Sequence, residues 1–330
     1  MLGLKDDARF PKRMQQSQGK LNFAIIDEVD NILIDEAQDT NPSRRALAAK
    51  LLKHDGRLVA VGDPNQAIFG FTGADNDALE QISERFDTIE LPLTVTYRCP
   101  KVVVAHAQQW VSHIEAHETA PEGTLEKMDY PDIFGFMSNR HGSGGNLKET
   151  AILCRYNAPL VKLCFGLIRN GVPAKIEGRS IGEGLAKLAT RWKRVKTING
   201  LETKLNEYRD REIKKAMDKE REDRADRIND QVETMFVIMA RARALKLDRV
   251  EELSEMILEM FDDNVSREGV LTLCSAHKST GLEWNAVFLL GREQFMPSAF
   301  ARQAWQVQQE MNLISVAVTR AKANLVEEFN

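Results

Sequence analysis

The stretch that most constrains this chain is Asn31-Ile32-Leu33-Ile34-Asp35-Glu36-Ala37-Gln38-Asp39-Thr40-Asn41-Pro42, a short apolar run that ends in two carboxylates. Three apolar residues in a row read as a buried strand, and open α/β sheets bind their ligands at the C-terminal ends of strands. Asp35 is then placed to hold Mg²⁺, directly or through water. Glu36 points elsewhere and can accept a proton from an attacking water. An isolated Asp-Glu pair is most often solvated surface charge, so the weight falls on what surrounds it. Just upstream, Ile25-Ile26-Asp27-Glu28-Val29-Asp30 repeats the apolar-acidic order without the Ala-Gln-Asp-Thr continuation, and reads as the approach to the strand.

A length of 330 residues suggests about two domains, and 43% hydrophobic with 28% charged residues is an ordinary soluble composition. The formal net charge of −4 excludes wholesale wrapping of nucleic acid but leaves room for a local basic groove. Four cysteines without CxxC spacing point to reduced thiols and against a zinc site. No apolar run approaches the roughly 18 residues needed to span a bilayer, and the polar start has no signal-peptide core. The expected location is the cytoplasm, that of the host for a phage protein, with no membrane partner.

As it stands, DEAQDTNP resembles motif II of the UvrD/Rep-type superfamily 1 DNA helicases. The strand Leu58-Val59-Ala60-Val61 leads into Gly62-Asp63-Pro64-Asn65-Gln66-Ala67-Ile68-Phe69-Gly70-Phe71-Thr72-Gly73, which resembles motif III. The resemblance implies that Gln66 contacts the terminal phosphate and that Phe69 and Phe71 stack on single-stranded bases, about 1–3 kcal/mol per base. Without it, both phenylalanines would be read as core. Gly70 and Thr72 stand where the family often has arginines. Leu91-Pro92-Leu93-Thr94-Val95-Thr96-Tyr97-Arg98-Cys99-Pro100 resembles motif IV, which implies that Arg98 reaches the γ-phosphate and Tyr97 stacks on adenine. Cys274-Ser275-Ala276-His277-Lys278-Ser279-Thr280-Gly281-Leu282-Glu283-Trp284 resembles motif V, with Gly281 and Glu283 on the nucleotide side, His277 on the DNA side, and Thr280 replacing the usual lysine. Glu310 to Lys322 resembles motif VI and makes Arg320 a second candidate arginine finger.

Five matches in family order imply an α/β fold of two RecA-like P-loop NTPase-type domains with an inserted helical subdomain. The expected division is 1–90 for a partial first motor domain, 91–184 and 266–330 for the two parts of the second, and 185–265 for the insert. The implied activity is ATP- and Mg²⁺-dependent translocation or unwinding, 3′ to 5′, on single-stranded DNA or a single-strand/duplex junction. A phosphate loop, Gly-x-x-x-x-Gly-Lys-Ser/Thr, should precede motif II, but Gly19-Lys20 and Lys278-Ser279-Thr280 both fail the pattern. The expectations are therefore poor ATP binding by this polypeptide alone, an exposed apolar sheet edge beside motif II, and a separate chain that supplies the loop. The alternative is a catalytically inactive relative that binds single-stranded nucleic acid or a partner.

Three remaining stretches carry weaker signals. A helix is expected from about Lys101 to His117; its His113-Ile114-Glu115-Ala116-His117 lacks the HExxH spacing of a zinc site. Arg140 to Gly145 reads as a flexible connection. Between Arg191 and Asp230 there are 13 Lys/Arg and 10 Asp/Glu, the mixture of a solvated helical face, with Arg191-Trp192-Lys193-Arg194-Val195-Lys196 as a possible nucleic-acid contact.

Overall fold

The short apolar runs become strands whose alternate residues face two different cores. In the computed structural model, which describes residues 29–70, 75, 77–143, 147–261 and 269–329, six strands form one all-parallel sheet: β5 (Thr124–Asp129), β6 (Thr150–Cys154), β7 (Ala174–Ile176), β8 (Leu271–Ser275), β9 (Trp284–Leu290) and β10 (Ala321–Phe329), in the order β5-β10-β9-β6-β8-β7. Ile152 and Cys154 of β6, with Ala286, Phe288 and Leu290 of β9, enter one core. Ala151 and Leu153, with Val287 and Leu289, enter the other. That two-residue alternation is why both strands are wholly apolar: a parallel sheet covered on both faces has no wet side.

The first core is closed by helices. α5 (Asn157–Arg169) packs on the sheet, and α6 (Arg179–Ala189), α7 (Ile198–Met217), α8 (Glu222–Ala244) and α9 (Val250–Met260) extend from it as a helical body. The stripe Ile228, Val232, Met235, Met239 is buried as its spacing requires. α4 (Tyr130–Gly142) adds Ile133 and Met137. The second core is closed by α3 (Lys101–Ala107) and α11 (Ala304–Val318), which also bears Glu310. A four-residue helix, α10 (Arg292–Phe295), follows β9.

A smaller body carries the acidic motif. β1 (Val29–Ile34) pairs in parallel with β2 (Leu52–Ala60), joined by α1 (Pro42–Leu51), and α2 (Ala78–Phe86) packs beside them. Asn41 caps α1 by accepting from the Arg44 N–H at 2.9 Å. Arg45 is buried, donating to the Thr40 carbonyl at 2.7 Å, to Gln81 at 2.5 Å and to Asp75, and so ties the acidic turn to α2.

Several expectations need correcting. β1 is not a fully buried strand: Leu33 is 70% exposed, and Ile89, Leu91 and Leu93 beyond α2 are more exposed still. This agrees with the open apolar sheet edge anticipated beside motif II. The helix from Lys101 stops at Ala107 because Glu115–Ala116 (β4) is captured by Val95–Thr96 (β3), with Glu115 N–H donating to Thr94 O at 2.8 Å. Arg140 to Gly142 belong to α4 and not to a connection. Ile25 to Glu28, Phe71, Thr72 and Gly73 lie outside the described residues. Among the described residues no helix is long and apolar enough to cross a membrane.

Phe288 is buried in the first core and touches Phe136 at a 5.3 Å ring separation. Phe288→Ala is expected to lower unfolding stability by about 3–5 kcal/mol, read by denaturant titration. A loss under about 1 kcal/mol would contradict the packing described.

Candidate nucleotide cleft and strand-binding cavity

At the end of β1 the chain turns sharply, and Glu36 adopts a left-handed conformation (φ 50°, ψ 47°). Its own N–H donates to Asp35 Oδ1 at 3.0 Å. The Glu36 carboxylate accepts from Gln38 Nε2 at 2.7 Å, and Gln38 Oε1 accepts from the Asp63 N–H at 3.1 Å. Asp63 in turn accepts from Gln66 Nε2 at 2.9 Å. A continuous relay, Glu36–Gln38–Asp63–Gln66, therefore joins the two acidic and glutamine motifs. Gly62 permits the approach: a Cβ there would fall 2.6 Å from Gln38 Oε1 and 3.1 Å from the Ala37 nitrogen. Gln38 and Asp63 were not anticipated as site residues; their place next to the named motif residues was the available signal.

Asp35 is exposed at the turn, a hard oxygen donor with open space before it. That chemistry fits Mg²⁺, which takes one or two protein carboxylates and fills the rest of its shell with water and phosphate oxygens. Asp39, one 3₁₀ turn on, is less accessible. Burial and then the Glu36 carboxylate push its pKa up to about 6 against the lowering influence of Arg44. Its Oδ1 is buried with no hydrogen-bond partner among the described residues.

The six-stranded body contributes the positive side. Arg98 Nε donates to Glu283 Oε2 at 2.8 Å, and Lys322 Nζ lies 3.4 Å from Glu283 Oε1. Partial burial works to raise the Glu283 pKa, but hydrogen bonds from Lys322 and Arg98 outweigh it and hold the carboxyl below its usual range. Arg320 is only 2% exposed. It donates to the Val316 carbonyl at 2.8 Å and lies 3.4 Å from that of Leu282. Burial, then repulsion from Arg98, bring its pKa down to about 10, partly offset by Cys99, Glu283 and Glu36. Arg98, Arg320, Glu283 and Glu36 thus share one electrostatic neighbourhood, but Arg320 is turned inward. A finger role requires its guanidinium to leave those carbonyls. Tyr97 is exposed and stacks at 4.4 Å on His117, leaving its other face open. Gly281 is exposed with φ +77°.

On another side of the molecule a cavity of about 330 Å³ brings Phe69 and His277 together, their rings 6.4 Å apart. It is also lined by Phe300, Trp305, Arg155 and Glu310, of which the first three were not anticipated. Burial, then Arg155 and Arg227, drive the His277 pKa well down, so the ring is neutral at physiological pH. Arg155 holds the cavity wall, donating to both Glu310 oxygens (3.1 and 3.0 Å from Nε) and to Asp226 at 2.7 Å. Asn312 Nδ2, on α11, donates to Pro64 O and Ala67 O at 3.1 Å, clamping the glutamine motif to the large sheet. The amide end of the Gln309 side chain lies against Gly70, in the space a Cβ there would occupy. In the basic cluster that begins at Arg191, the Arg191 guanidinium lies over Tyr208 at 4.9 Å and Trp192 at 5.8 Å, while Lys193 and Arg194 are exposed.

Comparison with known proteins bears out the family resemblance. The UvrD/REP helicase N-terminal domain matches residues 3–87, and the UvrD-like helicase C-terminal domain matches residues 182–327. The chain belongs to the UvrD-like DNA helicase family. Its six-stranded parallel sheet is the RecA-like α/β fold of that family. It is 26% identical over 312 residues to F-box DNA helicase protein 1 of Schizosaccharomyces pombe, covering 92% of this chain and 34% of that protein. It is 25% identical over 354 residues to ATP-dependent DNA helicase UvrD2 of Mycobacterium bovis, covering 89% and 46%. A short stretch of 34 residues, 10% of the chain, is 74% identical to 3% of protein translocase subunit SecA 1 of Rhodopirellula baltica. The chain spans less than half the length of the two helicases it resembles.

Asp39 supplies a pH test. The folded carboxyl holds its proton to about pH 6, whereas 3.8 is the ordinary value. Between those values the native state binds more protons, so stability falls as pH rises through the window, and the loss persists above it. Asp39→Asn is expected to raise Tm at pH 8 and to change it little at pH 4. An equal shift at both pH values would contradict the assignment.

Proposed function

We propose that this chain forms much of the motor of an ATP-dependent DNA helicase or translocase, with ATP and Mg²⁺ as cofactors and single-stranded DNA or a single-strand/duplex junction as substrate. The observation that carries this is the convergence of the Glu36 relay with Arg98, Arg320 and Glu283, contributed by two separate sheets. Such a cleft suits a phosphoanhydride, because carboxylates activate water on one side and guanidinium groups meet the phosphates on the other.

Within this reading Asp35 holds Mg²⁺, which supplies charge neutralisation at the phosphates when bound. Glu36 orients and deprotonates the attacking water, and the Gln38–Asp63 bridge fixes its carboxylate. Gln66 reports phosphate occupancy along the same bridge toward Phe69. Arg98 exchanges Glu283 for the γ-phosphate, an inexpensive swap since both partners are about two-fifths exposed. Tyr97 offers its open face to adenine. Phe69 and His277 grip bases in the cavity, and a 3′-to-5′ direction rests on the family resemblance alone.

The phosphate-loop pattern does not occur in the 330 residues. We propose that a second polypeptide supplies it and covers the exposed row Ile89, Leu91 and Leu93, at 87%, 82% and 89% exposure. The test is DNA-stimulated ATP hydrolysis by the purified chain, alone and mixed with a polypeptide bearing that loop. The expected result is hydrolysis in the mixture only, abolished by Glu36→Gln. Hydrolysis by the chain alone would overturn the need for a partner. Salt-dependent strand binding without hydrolysis in either sample would favour an inactive binding protein instead. Phe69→Ala is expected to weaken oligonucleotide binding about 5- to 100-fold; unchanged affinity would return that ring to the core.

A further inference from the structure

Beyond the aromatic cavity lies a second, open groove of about 610 Å³ between α6 and the first turns of α8. Arg221, just before α8, and Arg224 and Arg227 in its first turns line one wall, a span of six residues or about 9 Å of helical rise. That length matches about two to three phosphates at the 3.4 Å spacing of one strand. The floor is apolar, with Ile181, Leu185 and Ile228. The carboxylate in the lining, Asp230, is already engaged: it accepts from the Asn157 N–H at 2.8 Å, Asn157 Nδ2 at 2.7 Å and the Ala158 N–H at 3.3 Å. The arginine wall therefore sets the sign of the groove. Asn157, Arg227 and Asp230 line both the groove and the aromatic cavity, so the two lie side by side and share a wall.

The ion pairs on that wall are easily exchanged. Arg224 lies 3.4 Å from Glu212 and Arg227 3.1 Å from Asp223, with both guanidinium groups about half exposed. Surface pairs of this kind are worth less than about 1 kcal/mol, whereas each phosphate contact also releases condensed counterions. Glu212 has other partners in Arg211 and Lys215. A solvated helical face accounts for mixed charge along α7 and α8, but not for three arginines on one wall of a groove that adjoins the aromatic cavity.

We infer that this groove is a phosphodiester track, in which the helical body holds the backbone of the nucleic acid whose bases enter the neighbouring cavity. The inference rests on the DNA-binding part of the proposed function and adds to it a site outside the two motor sheets. The backbone in the track belongs either to the same single strand or to the duplex arm of a junction. The shared chemistry is the phosphate, and the two sources separate by probe.

The experiment uses the full chain with fluorescent dT8, dT20 and a duplex carrying a dT8 tail, titrated at several salt concentrations. Replacing Arg221 and Arg224, which line the groove and not the aromatic cavity, together by Ala is expected to weaken dT20 binding at least fivefold at low salt. It should also reduce the slope of log K against log salt by about 1.4, at roughly 0.7 per lost phosphate contact, and leave dT8 within twofold. A loss confined to the tailed duplex assigns the track to the duplex arm and still supports it. Arg221→Glu alone, at an exposed position before α8, provides a variant with minimal effect on folding and should reproduce part of the loss. Unchanged binding of both long probes, or a parallel loss of dT8, overturns the track while leaving strand binding intact. Failure of the unmodified chain to bind any probe overturns both readings.

Discussion

The buried guanidinium of Arg155 is the contact on which most of the architecture depends. It sits just after a central strand of the large sheet and meets Glu310 from α11 and Asp226 from α8, so three separately folded elements share one charge cluster. Tyr156 extends the cluster, donating to Asp226 at 2.8 Å and lying 2.9 Å from Ser298. Burial alone would make such a cation costly, and the paired carboxylates reverse this and raise its hold on the proton. Removal of any one member strands a desolvated charge. The helical body and the motif VI helix are thus coupled to the sheet electrostatically as well as by apolar packing.

The same economy of contacts appears at the cleft. Two side-chain amides and one carboxylate connect the acidic turn to the glutamine motif, and one asparagine clamps that motif to the other sheet. Glu36 and Gln66 are thereby joined by an unbroken run of polar contacts that does not pass through either apolar core. The glycine beside Gln38 is what lets the two turns lie this close. Phe69 lies three residues beyond Gln66, in the cavity wall, so a single short segment joins the glutamine of the relay to the aromatic cavity.

Much of this was legible in the residue order. The wholly apolar runs at Ala151 and Ala286 foretold strands buried on both faces, and the Ile228 to Met239 stripe foretold a packed helix. The acidic pair, Gln66, Arg98, Glu283 and Arg320 carried enough local context to be named, and the structure gathers them. Other features depend on contacts distant in sequence. His117 was read in a helix because local pattern cannot anticipate that β4 would be captured by β3. Phe300 and Trp305 sit in a polar segment without periodicity, and only the fold turns them toward Phe69. Arg320 was expected to be presented, yet nearby backbone carbonyls hold it inside. The contact of Arg191 with Tyr208 likewise joins residues seventeen positions apart, which no local pattern shows. The paired arginines beyond it gave no signal, because a mixed-charge helix looks alike whether or not one wall opens on a groove.

The strand order of the large sheet also sets a timetable. β10 lies between β5 and β9, and Leu125 pairs with Leu325, two hundred positions later. Until β10 has been made, β5 has no neighbour in the sheet and β9 is bare on one edge. Local helices can form early, but the sheet closes only once β10 is available, through contacts of very high sequence separation. Nascent molecules therefore spend their first moments with apolar parallel strands uncovered, and the yield of soluble protein should depend on chaperone supply and growth temperature more than on native-state stability.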